Sequence, residues 1–127
     1  MPTGELPIPL GRLKKRAEFL RVRDGRSWRS GCLVLQARER DSDGKPNGEP
    51  PRFGFTATRR IGTAVARNRA RRRLKETVRR VATANARPGY DYVVIARQGA
   101  LTRSFANMQK DLEEAFSGVH KKKGARA

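Results

Sequence analysis

The chain has 127 residues, with 30 Lys and Arg against 12 Asp and Glu and a formal charge of +18 at neutral pH. One cysteine, Cys32, and one histidine, His120, exclude an internal disulfide and leave no Cys/His set for a zinc site. No apolar run is long enough to cross a bilayer, and the start, with Glu5 and three prolines, lacks the apolar core of a secretory signal, so a soluble, cytoplasmic, single-domain protein is expected.

Residues 1–11 read as a flexible N-terminal segment. Over 13–22, Leu13, Ala17 and Leu20 fall at i, i+4 and i+7, which predicts a short basic helix that Gly25 can end in a left-handed cap. Residues 32–37 and 52–58 have strand character, the second with Phe53, Phe55 and Ala57 on one face, and together they predict a hairpin. Their connection, 38–51, is rich in Asp, Gly and Pro and predicts a mobile loop. Its acidic residues Asp41, Asp43 and Glu49 read as solvated rather than as a metal site.

Residues 59–80 carry nine Arg and one Lys against Glu76 alone, half of the net charge. On a helix, Ala70, Leu74, Val78 and Val81 make one apolar stripe, with Asn68, Arg69, Arg72, Lys75, Arg79 and Arg80 on the far side. Arg67 falls near the stripe, where it can reach past the sheet edge beside the helix N-terminus, a place that favours anions. Residues 90–97 form a continuous apolar run of the kind buried on both faces of a sheet. Ser104 then caps a closing amphipathic helix through Phe105, Met108, Leu112, Ala115 and Phe116, with Asp111, Glu113 and Glu114 facing away. Residues 118–127 read as a disordered basic tail holding His120, which leaves 12–117 as the folded domain.

A charge this dense calls for a polyanion. Arginine makes up 22 of the 30 cations, and its planar guanidinium suits phosphate and bases, so nucleic acid ranks above anionic lipid. With a single acid among ten cations, the 59–80 segment has almost no partners for surface ion pairs, which separates it from an ordinary solvated helix face. Neither a general acid–base pair nor a cluster of metal-binding carboxylates is evident, which argues against a free-standing nuclease.

The run RIGTAVARNRARRRLKE, centred on Arg67-Asn68-Arg69, resembles the bacterial ribonuclease P protein subunit, as do RLKKRAEFLRV at 12–22, GFTATRRIG at 54–62 and DYVVIAR at 91–97. The resemblance implies an α+β fold, a single-domain α/β sandwich of four strands and three helices in the order αβββαβα. It adds a short strand near Arg26 to Trp28, and a left-handed βαβ crossover around the basic helix that general rules make uncommon.

It further implies a cofactor of a ribozyme that removes the 5′ leader of precursor tRNA, with hydrolysis carried by Mg2+ held mainly in the RNA subunit and substrate, and no catalytic residue in the protein. One protein per RNA is expected. Carried over by position, Arg59, Arg60, Arg67, Asn68, Arg69, Arg71, Arg72 and Lys75 would meet the RNA subunit, and Phe19, Val34, Gln36, Thr56 and Thr58 would line a leader groove. Phe19 reads as readily as plain core, and Trp28 as covering the sheet edge. Relatives often carry a second aromatic where this chain has Val22 and Arg23, and a tyrosine where it has Gln36. The competing reading is a structural RNA-binding protein of ribosomal type.

Overall fold

The apolar run near residue 90 has the most surface to bury, and the sheet is built around it. In the computed structural model, which describes residues 11–40 and 50–120, the elements are β1 (Gly11–Arg12), α1 (Arg16–Arg23), β2 (Arg26–Arg29), β3 (Leu33–Glu39), β4 (Arg52–Ala57), α2 (Ala64–Asn85), β5 (Tyr90–Ala96) and α3 (Phe105–His120). Turns of 3-10 helix lie at Arg59–Ile61 and Gln98–Leu101. The strand order is β1-β4-β5-β3-β2, with β5 parallel to β4 and antiparallel to β3. This is the expected α+β frame, αβββαβα, with the short strand at Arg26–Arg29 in place and a two-residue β1 added beside β4.

The expected hairpin does not form. β5 lies between the two strands assigned to it, because a strand that is apolar on both faces takes the sheet centre and needs a neighbour on each side.

Alternation along β5 divides the core. Tyr92, Val94 and Ala96 join Leu33, Leu35, Phe53 and the inner residues of α2 and α3, whereas Val93 and Ile95 pack with Leu13, Phe19 and Val22 from the segment carrying α1. The helices therefore cover opposite faces of one sheet. On α2 the stripe Ala70, Leu74, Val78 and Val81 is buried as expected, and Trp28, on the edge strand, packs so closely on α3 that a Cβ at Gly118 would lie 1.9 Å from its ring.

Six local expectations are corrected. Ala17 and Leu20 do not face the core, Leu20 being 41 % exposed. The helix begins only at Arg16, where Glu18 Oε1 accepts the backbone N–H groups of Lys14 and Lys15 at 2.9 Å. Leu13 instead extends β1, donating to the Phe53 carbonyl, so a spacing counted from Leu13 selects the wrong face; Phe19 and Val22 face inward. Gly25 is no left-handed cap, since positive φ occurs among described glycines only at Gly62 and Gly89. It is needed because a Cβ there would meet the Ala37 carbonyl oxygen at 2.1 Å. Asp111 is buried rather than facing away, standing one turn from both Met108 and Ala115 and paired with Arg103. α3 continues to His120, past the expected start of the tail, because Val119 is buried and His120 bonds Tyr92. Gly11, grouped with the N-terminal segment, lies in β1, and Arg38 and Glu39 belong to β3 rather than to the loop. The acidic residues Asp41, Asp43 and Glu49 lie outside the described residues.

Candidate nucleic-acid interface

The basic helix is set up by its first turn. Gly62 adopts φ +131°, which suits glycine, and the Thr63 hydroxyl caps the helix by accepting the Ala66 N–H at 3.2 Å. Arg67 folds back over this turn and donates to the Gly62 carbonyl at 2.8 Å, beside the free N–H groups of the helix end. Asn68, Arg69, Arg72 and Lys75 are exposed, while Arg71 is half-buried and donates to the Asn68 side chain.

Partners decide which of these cations are available. Arg79 and Arg80 share Glu76 at 2.9 and 3.0 Å. Arg73 is structural: it donates to the Ala100 carbonyl at 2.7 Å and stacks over Phe105, tying α2 to the start of α3. Among the described residues, the guanidinium groups of Arg59, Arg60, Arg69 and Arg72 have neither a carboxylate nor a hydrogen-bond partner. The like charges along this face repel one another, and phosphate would relieve that cost.

On the opposite face of the sheet lies an open groove of about 840 Å³. Register builds its floor, with Gln36 beside Ser27, and Val34 beside Ile95 and Arg29. Thr58, Arg59, Arg60 and Arg97 line one end. Val34, Gln36 and Thr58 of the expected leader set thus share one groove, and Thr56 pairs with Ile95 on the same face. Phe19 lies apart, its ring packed so closely on Gly54 that a Cβ there would approach it to 2.5 Å. Arg59 and Arg60, which the resemblance assigns to the RNA subunit, border the groove as well. Sequence reading missed Ser27, Arg29 and Arg97, whose place in the groove depends on strand register.

Two buried acids hold the surrounding elements. Asp91 is bound by Arg52, Arg40 and Arg21, which brings β4, the end of β3 and α1 to the start of β5. Glu18 bridges to Arg52 at 3.0 Å, and the Lys15 and Lys14 backbone N–H groups hold its carboxyl below the usual range. Asp111 accepts from Arg103 and from the Cys32 thiol at 3.2 Å; burial pushes that thiol up to about 11, so it is an unreactive core group. Among the described residues no group of three or more His, Cys, Asp or Glu lies together, and no helix is long and apolar enough to cross a membrane.

Comparison with known proteins agrees with this arrangement. The family model Ribonuclease P matches residues 10–120. The ribonuclease P protein component of Brucella suis is 43 % identical over 109 residues, covering 84 % of this chain and 77 % of the relative. That of Gluconacetobacter diazotrophicus is 48 % identical over 106 residues, covering 83 % and 87 %. Among solved structures, the RNase P proteins of Staphylococcus aureus and Thermotoga maritima superpose with TM-scores of 0.62 and 0.63, each 27 % identical. They cover 84 % and 81 % of this chain, and 92 % of each of those chains is covered in turn. With the match spanning α1 through α3 and Arg67-Asn68-Arg69 lying at the head of its basic helix, the chain belongs to the ribonuclease P protein family.

Proposed function

We propose that the protein serves as the protein subunit of ribonuclease P, binding the catalytic RNA and the 5′ leader of precursor tRNA during maturation of the tRNA 5′ end. The observation that carries this reading is the pair of separate basic surfaces, a helix face with unpartnered arginines and a groove on the other side of the sheet. Arg67, Asn68, Arg69, Arg71, Arg72 and Lys75 meet the folded RNA subunit. Val34, Gln36, Thr56 and Thr58 accept the single-stranded leader, with Phe19 at its margin and Arg59 and Arg60 bordering both. Hydroxyl, amide and aliphatic contacts flanked by cations tolerate many sequences, as a leader groove must.

Hydrolysis belongs to the RNA subunit, with Mg2+ held by RNA and substrate. In support, the buried carboxylates of Asp91 and Asp111 are already committed to arginines. The protein contributes binding and position, in the cytoplasm, as one copy per RNA.

Equilibrium binding to the assembled complex tests this reading. A precursor tRNA should bind more tightly than the mature tRNA lacking its leader. Equal affinity for the two would sink the leader assignment and favour a general structural RNA-binding role.

A further inference from the structure

Register arranges the sheet face beneath α1 in rows. Arg38, Asp91 and Arg52 stand side by side across β3, β5 and β4; Gln36, Val93 and Gly54 form the next row, and Val34, Ile95 and Thr56 the third. Over the first row, Glu18 of α1 pairs with Arg52 and Arg21 with Asp91; over the second, Phe19 covers Gly54 and Val22 packs on Val93. The groove opens beyond the helix, at Gln36, Val34 and Ile95, and Ile95 also packs against the cluster beneath α1. α1 is therefore the wall that closes the groove at this end. Apolar contact holds this wall weakly, since the eight-residue helix has a single fully buried side chain, Val22. Directional bonds hold it instead. Arg52 Nε and Nη2 grip Asp91 at 2.9 and 2.8 Å while Nη1 reaches Glu18 at 3.0 Å. Arg38 Nη1 donates to the Arg21 carbonyl at 3.1 Å, and Arg21 Nη2 to the Glu39 carbonyl at 3.2 Å.

We propose that Arg52, acting with Glu18, is a positioning residue for leader binding: the bridge it makes fixes where α1 lies along the sheet and so where the groove ends. The inference rests on the leader reading above and deepens it. Apolar packing is non-directional and lets a short helix slide, whereas a guanidinium fork held by two carboxylates allows one placement. Such partly buried ion pairs contribute less to net stability than to selecting one arrangement. Successive rows on one sheet face lie about 6.6 Å apart. A slide of half that distance would carry α1 toward Ile95 and Thr56 and narrow the groove, and the opposite slide would uncover Val93.

The test uses the protein assembled with its RNA subunit and three variants. Arg52→Lys keeps a charge beside Asp91 but, as a point donor, cannot span both carboxylates. Glu18→Gln keeps an oxygen for the Lys14 and Lys15 N–H groups and loses the ion pair. Val119→Ala, in α3 on the other face of the sheet, is the stability control. Melting temperature, affinity for the RNA subunit, and the ratio of affinities for precursor and mature tRNA are measured for each. Arg52→Lys and Glu18→Gln should lower that ratio by about tenfold with RNA-subunit affinity unchanged, because misplaced contacts hold a strand poorly. Val119→Ala should leave the ratio in place at a comparable loss of melting temperature. Should Arg52→Lys not fold, Glu18→Gln decides alone. An unchanged ratio in the folded variants overturns the proposal, as does an equal fall in Val119→Ala, which would make stability the cause, or a loss confined to RNA-subunit affinity. If the unaltered complex itself shows no preference for precursor, the leader reading fails before the placement of α1 is at issue.

Discussion

Arg52 grips Asp91 through two parallel hydrogen bonds, Nε to Oδ1 at 2.9 Å and Nη2 to Oδ2 at 2.8 Å, at the point where β4 meets the first residues of β5. Arg40 and Arg21 complete the shell around this fully buried carboxylate. Its charge offsets three guanidinium groups in a protein already burdened with excess cations. Asp91→Asn should therefore destabilise the fold by about 3 kcal/mol, because the arginines are left facing one another across a neutral group. Urea unfolding measures this; a midpoint equal to that of the unaltered protein would mean the cluster contributes nothing net.

Leu74 is fully buried in the middle of the α2 stripe, against the sheet. Truncation to Ala should cost about 2 to 5 kcal/mol through lost contact and the cavity left behind. An unchanged melting temperature would contradict the packing of α2.

Arg69 and Arg72 are exposed and unpartnered, so their removal should leave the melting temperature in place. Arg69→Ala or Arg72→Ala should weaken binding to the RNA subunit and lower its salt slope by about one phosphate contact each. Normal binding across salt concentrations would place the RNA contact on another face.

His120 shares a 2.7 Å hydrogen bond with the Tyr92 hydroxyl, and Tyr90 meets its ring edge to face. Burial, reinforced by Arg87 and Arg26, pulls its pKa down to about 4 from an ordinary 6.5. The unfolded chain then binds more protons than the folded one between those values. Stability is full above pH 6.5 and falls as the pH drops toward 4. For a half-buried ring the loss is about 1 to 2 kcal/mol after solvent screening. His120→Gln should lack this component, so the difference in melting temperature between the two proteins should change across that window. A constant difference would contradict the buried neutral imidazole.

The sequence foretold elements whose partners are local. The stripe Ala70–Leu74–Val78–Val81, the Ser104 cap, which accepts the Asn107 N–H, and the central place of β5 all follow from periodicity or capping chemistry within one segment. Strand pairing was not legible, because β3 and β4 are adjacent along the chain while β5, which separates them, follows a whole helix later. The burial of Asp111 was hidden as well: its ion-pair partner Arg103 lies just ahead of α3, but the Cys32 thiol that donates to it comes from the far side of the sequence, ahead of β3. For the site, residue types on the exposed side of α2 were readable from spacing. The groove was not, since Arg29 reaches it only through the register of β2 with β3, and the resemblance to the family supplied its expected lining.

The most direct measurement is 5′ processing of a precursor tRNA at limiting Mg2+, with the cognate RNA subunit alone, with RNA subunit plus protein, and with protein alone. The account predicts that the protein strongly accelerates cleavage by the RNA subunit and cleaves nothing by itself. Cleavage by the protein alone, or a processing rate indifferent to its presence, would contradict the central claim.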